Sequence, residues 1–193
     1  MSKPLDFIND YLDVTKKVVG RVDPKEIKAC INLLALLKKN GGRLFLLGVG
    51  GSAANCSHAV NDFRKIAQIE AYAPTDNVAE LTARTNDEGW DTVFVRWLET
   101  SKLTSKDVVM VLSVGGGNLE KNISPNIVKA LEFAKNVRST IIGIVSRDGG
   151  YTRKVAKKSI LIPIDKDLFI TPISESFQAV IWHLMVNHPK LKG

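Results

Sequence analysis

The sequence predicts an α/β fold: a doubly wound, mainly parallel five-stranded sheet with an N-terminal helical hairpin. Three observations carry this. Five short, nearly continuous apolar runs (43–48, 69–73, 108–113, 140–146 and 159–164) have the character of parallel strands buried on both faces. Segments of helical pattern (52–66, 91–99, 125–136 and 150–156) separate them, as crossover connections require. Glycine-rich turns follow the first and third runs directly, where such sheets bind ligands.

The elements follow in order. Residues 1–40 read as two helices. Asp23-Pro24-Lys25-Glu26 combines an N-cap, a proline at the first helical position and a Glu that completes a capping box. The second helix spans 24–39 and ends at Asn40-Gly41-Gly42. Its apolar set (Ile27, Ile31, Leu34, with Cys30, Leu33 and Leu37) is wider than one stripe, so it is buried on more than one side or packs against a second subunit. Residues 1–42 are thus expected to be oligomer-forming helices of the same domain as 43–193. A last helix, 172–186, closes the chain, with Phe177, Val180, Ile181 and Leu184 expected in the core.

Composition narrows the function classes. The 193 residues are 45% hydrophobic, enough to bury a core, and carry a net charge of +7. The basic residues are scattered and no nucleic-acid motif accompanies them, which disfavours nucleic acid and favours an anionic small molecule. No apolar run approaches a membrane span, and the N-terminus lacks the basic and apolar regions of a signal peptide. Two cysteines, Cys30 and Cys56, make no disulfide framework, so a reduced cytoplasmic protein is expected.

Two turns could cradle a phosphate. The first is Gly48-Val49-Gly50-Gly51-Ser52-Ala53. The second is Ser113-Val114-Gly115-Gly116-Gly117-Asn118, followed by Ser124-Pro125 read as an N-cap and first helical residue. The alternative is that they are merely tight turns. Neither has the spacing of a dinucleotide or P-loop motif, so no nucleotide cofactor is expected. His58 and Asp62 stand at i and i+4, sharing a face with Asn55, while Glu175 and His183 stand at i and i+8 on the last helix. If the two helices converge, these acids and histidines can exchange protons, or bind Zn²⁺ through two imidazoles and two carboxylates. His188 reads as solvent-facing. Asn86-Asp87 reads as a loop, either a capping turn or a carboxylate that holds sugar hydroxyls; Asp148-Gly149-Gly150 reads as a turn with an N-cap.

Taken together, G-V-G-G-S-A-A-N-C-S-H-A-V-N-D, T-N-D-E-G-W-D, S-R-D-G-G and E-S-F-Q-A-V-I-W-H resemble the SIS (sugar isomerase) domain family, a flavodoxin-like fold, and within it the phosphoheptose isomerases. The resemblance runs over nearly the whole chain. It implies conversion of sedoheptulose 7-phosphate to an aldoheptose 7-phosphate for surface-polysaccharide heptose, in homotetramers with shared sites, some of them holding zinc. It implies Asp62 and His183 as the catalytic pair, and His58, Asp62, Glu175 and His183 as the metal set. Asp87 would hold the sugar and Ser52 the phosphate, which the turn residues Gly50, Gly51, Ser113, Gly115, Gly116 and Asn118, with Ser124, are read as cradling beside it. The chain departs from the family where Val49 replaces an Asn, Asp62 a Glu and Glu175 a Gln, and where the second turn has exchanged hydroxyls for glycines and gained residues 119–123. The leading expectation is ketose–aldose isomerisation through an enediol, with Asp62 or the longer Glu175 as base and His183 moving protons on the sugar oxygens. The rivals are a non-catalytic module that binds a sugar phosphate or a protein partner, and an isomerase or epimerase of another sugar phosphate.

Overall fold

The computed structural model describes residues 4–193. Five strands, β1 (Leu44–Leu47), β2 (Ala71–Tyr72), β3 (Val108–Ser113), β4 (Thr140–Ser146) and β5 (Lys158–Ile162), form one sheet in the order β2-β1-β3-β4-β5. Every pairing is parallel, so the sheet is wholly rather than mainly parallel. Leu44 pairs with Ala71 on one side and Val108 on the other, and Val108 with Thr140. The order reverses direction between β1 and β3, and the two glycine turns leave these two strands. They therefore flank the crevice where ligands bind in such sheets.

Alternation along the strands divides the core. Leu44, Leu46, Val108, Met110 and Leu112 face one layer with α1 (Pro4–Arg21), α2 (Pro24–Lys39), α3 (Gly51–Lys65) and α8 (Ile170–Asn187). Phe45, Leu47, Val109 and Val111 face the other, with α5 (Val93–Thr100), α6 (Pro125–Asn136) and α7 (Gly150–Val155). The first two helices therefore share the core of the sheet. Cys30 and Cys56 are buried and unpaired. Burial pushes both thiols up, Cys30 to about 12, leaving little thiolate to react.

Several local readings need correction. A helix absent from the sequence reading, α4 (Val78–Glu88), precedes α5, so Asn86 and Asp87 lie in its last turn and not in a loop. It buries no residue and so lacks an apolar period, although its cap is in place: Asn77 Oδ1 accepts from the Ala79 and Glu80 amides. Asp23 does cap α2, accepting from Lys25 N at 2.8 Å, but Glu26 closes no capping box. Its Oε2 accepts from Leu161 N on β5 at 3.0 Å, where an edge-strand amide needs a partner. Ser124 precedes α6 in a left-handed conformation and makes no side-chain cap. On α8 the buried stripe includes Ile173, Phe177, Ile181, Trp182 and Met185. Val180 and Leu184, expected in the core, fall on the opposite face and are 55% and 46% exposed. No described helix is long and apolar enough to cross a membrane.

Candidate active site

α3 leaves β1 through Gly50, whose φ of +63° with ψ of −131° is a backbone turn that glycine adopts and L side chains do not, and the helix starts at once. α8 lies beside α3 and runs in the same sense: Glu175 meets Ser52, Gln178 meets Asn55, and Trp182 and His183 meet Asp62. The seam between the two helices is therefore a line of polar groups. Gln178, fully buried, donates through Nε2 to Ser52 Oγ (3.0 Å) and accepts from Asn55 Nδ2 (2.8 Å); Asn55 also donates to the Glu175 carbonyl (2.9 Å). Ser52, expected to contact phosphate, has its hydroxyl turned into this seam, 3.4 Å from Glu175 Oε1. The Glu175 carboxylate packs against Gly51, where a Cβ would collide with it. That places a negative group at the positive end of α3.

At the lower end of the seam, about 15 Å further along the α3 axis, lies a cluster of three. Asp62 Oδ2 is 3.2 Å from His183 Nε2 and 3.5 Å from His58 Nε2. The three ligand atoms all lie within 4.8 Å of one another. Asp62 is buried, while both imidazoles stay about half exposed. Trp182 Nε1 donates to Asp62 Oδ2 at 3.1 Å, and Asn61 Nδ2 donates to Oδ1 at 3.0 Å. His183 Nδ1 lies 2.8 Å from the Ala179 carbonyl, an obligate acceptor, so Nδ1 carries the proton. Nε2 then turns its lone pair to the Asp62 carboxylate. Two acceptors in that contact call for a proton or a cation between them. Two imidazoles and a carboxylate are also the donor types that Zn²⁺ takes, so the residues fit such an ion. The expected set of four thus comes together as three: His58, Asp62 and His183 converge, and Glu175 stands near Ser52 instead.

The second turn is built differently from its expected role. Gly116 N donates to Ser113 Oγ (3.0 Å). The Gly116 carbonyl accepts from Thr152 N and Oγ1 (2.9 and 2.7 Å), and the Gly117 carbonyl from Tyr151 N (2.8 Å). Gly116, at φ +69°, lies so close to Gly149 that a Cβ would strike its carbonyl. These glycines allow the turn to dock on the start of α7. Gly115 stays partly open, next to the exposed side chain of Arg147, which holds a φ of +53° just after β4. Residues 118–123 form a small closed loop in which Asn118 and Ile123 exchange backbone hydrogen bonds, and Asn118 Oδ1 accepts from Lys121 N. Asp87, exposed on α4, accepts from Asn86 Nδ2. His188 ends α8 and accepts from Lys190 N at 3.1 Å. Sequence reasoning missed Gln178, Trp182 and Arg147. The signal for Trp182 was its indole N–H, which needs an acceptor when buried.

The model of the SIS domain matches residues 6–146, most of the chain. The chain belongs to the SIS domain family. Among curated SIS relatives, a phosphoheptose isomerase of Geotalea daltonii is 31% identical over 185 residues, covering 93% of this chain and 90% of the relative. One of Chlorobaculum parvum is 32% identical over 155 residues, covering 77% and 71%. A solved phosphoheptose isomerase of Neisseria gonorrhoeae superposes with a TM-score of 0.80 at 21% identity, covering 95% of this chain and 94% of its own. A second, from Francisella tularensis, gives 0.80 at 22%, covering 96% and 97%. The two structures establish the SIS fold for nearly the whole chain.

Proposed function

We propose that this SIS domain is an aldose–ketose isomerase of phosphorylated sugars, converting sedoheptulose 7-phosphate to an aldoheptose 7-phosphate that supplies surface-polysaccharide heptose. The observation that carries the chemistry is the buried Asp62 carboxylate flanked by two accessible imidazoles; the relatives named phosphoheptose isomerase supply the substrate. Isomerisation needs a base for the proton alpha to the carbonyl and a group that moves protons between neighbouring oxygens. Asp62 is the base at the lower end of the seam, and Glu175 the alternative at its upper end. His183, with Nδ1–H tied to Ala179, offers Nε2 to the sugar oxygens, so the enediol forms and collapses without a change of tautomer. The Glu175 carboxylate repels a phosphate from the start of α3, so the phosphate rests against the second turn, at Ser113 and Gly115 with Arg147 alongside. Zn²⁺ would be held by His58, Asp62 and His183 and would polarise the sugar carbonyl; with Asp62 and the Nε2 of His183 engaged as ligands, Glu175 would then be the base.

Exposed apolar faces fit the same reading. Val180 and Leu184 bracket His183 on the exposed face of α8, and Leu5, Ile8 and Leu12 form an exposed stripe on α1. A homotetramer with shared sites would cover these faces, in a cytoplasmic enzyme; a monomer of 21.2 kDa by light scattering would overturn that part. The activity itself is tested by following sedoheptulose 7-phosphate by NMR with zinc-loaded protein, then after chelation. An aldoheptose 7-phosphate signal that fades with chelator is the expected result. Binding without turnover would replace the proposal with a sugar-phosphate-binding regulatory module.

A further inference from the structure

Trp182 touches all three members of the cluster. Its indole N–H donates to Asp62 Oδ2 at 3.1 Å. Its ring lies edge-on to His58, with centroids 5.4 Å apart, and tilted against His183 at 5.1 Å. It is also the largest fully buried side chain of the core. Packing alone would be served as well by another large apolar residue, so the polar atom of the indole needs an account. Asp is the shortest acid, and Asp62 lies at the buried seam and not at its rim. Left to itself, such a carboxylate would turn toward solvent or toward either imidazole. The indole is rigid, with only two side-chain torsions, and is clamped by the core on its other side. One oxygen of Asp62 is thereby held between the two Nε2 atoms.

We infer that Trp182 is a positioning residue, which acts through Asp62 by fixing the carboxylate oxygen that the two histidines share. The inference rests on the reading of Asp62 as the carboxylate of the active site. Trp182→Phe keeps the ring in the core and removes only the donor. A loss of this kind, one bond removed from the reacting group or the metal ligand, typically costs 10- to 100-fold in activity or metal affinity. The expected result is a kcat lowered about 10-fold or more with KM changed less than about 3-fold, and Zn²⁺ affinity, measured by calorimetry, lowered by a similar factor. A change in KM alone, or wild-type kcat together with wild-type Zn²⁺ affinity, would overturn it.

A third readout needs neither substrate nor metal. In the wild-type protein the Trp182 indole N–H resonance is expected downfield and slow to exchange with solvent, and it should move upfield in Asp62→Ala. If the wild-type protein turns over no sugar phosphate, the function proposal fails while this resonance still decides the positioning role. An indole proton that exchanges freely and ignores Asp62→Ala removes the inference whatever the activity.

Discussion

Two buried carboxylates divide the molecule. Asp107, 3% exposed, sits before β3 at the amino end of the sheet, and Asp62, 6% exposed, lies on the seam of α3 and α8. Asp107 accepts from Arg43 through the backbone amide (2.9 Å), Nε (3.2 Å) and Nη2 (2.9 Å), and from Thr104 through its amide and hydroxyl (2.9 and 3.0 Å). Arg43 spends its other donors on the Ser101 and Lys102 carbonyls. Both carboxylate oxygens there have permanent partners. Asp62 has two neutral donors and two imidazoles whose charge depends on conditions. Saturation with a fixed cation makes a carboxylate structural. Incomplete saturation beside two imidazoles is what the proposed proton-transfer role of Asp62 requires.

Asp107→Ala tests the structural half and should have the largest effect. It leaves Arg43 unpaired and half-buried, a change that costs about 3 to 5 kcal/mol where buried pairs are broken. The check is chemical denaturation, and the activity of the molecules that remain folded should be unchanged. The pH dependence has a definite sign. Burial alone would push the Asp107 carboxyl up, but the hydrogen bonds from Arg43 and Thr104 outweigh it and hold it below the usual carboxylate range. A depressed native value stabilises the fold above the unfolded value of about 3.9, and that contribution is lost as pH falls through the lower native value. The stability gap between wild type and Asp107→Ala should therefore be widest near neutrality and narrow below about pH 4. A gap that does not change with pH would show that packing, and not charge, is lost.

Asp62→Asn reverses the pattern. The variant keeps the shape and one acceptor oxygen for Trp182, so the fold should hold, while kcat falls by about 10² or more, as for other general acid–base groups. His183→Ala should fall comparably. Wild-type turnover in either variant would leave the cluster a structural one, like Asp107.

What the sequence made legible follows from the same physics. β3, β4, α2 and α6 could be read to the residue, because continuous apolar runs and Pro-marked helix starts announce themselves locally. β2 shrank to two residues, since as an edge strand it needs only Leu44 and Phe45 as partners. α4 was invisible because a helix that buries nothing has no period to show. His58 and Asp62 were legible from their spacing. The rotation of α8 was not. With apolar residues at 180, 181, 182 and 184, several faces could be buried, and only packing against α3 chose Trp182 over Val180 and Leu184. Glu175 went astray for a related reason: a long side chain at the right helical angle can reach either along its own helix or across to Gly51.

A third carboxylate, Asp23, calibrates the other two. It is exposed, has no ion pair among the described residues, and accepts one amide hydrogen bond, from Lys25 at the start of α2. Its loss should cost about 1 kcal/mol, as for other N-caps, with kcat unchanged. Glu26 sharpens the contrast, because it stands only three residues on yet supports β5 rather than the helix start. Asp23→Ala and Glu26→Ala should thus destabilise independently and additively when combined, as sites without a shared partner do. Strong coupling between them would restore the capping box that the sequence suggested. It would also mean that the Leu161 amide finds another acceptor when Glu26 is present.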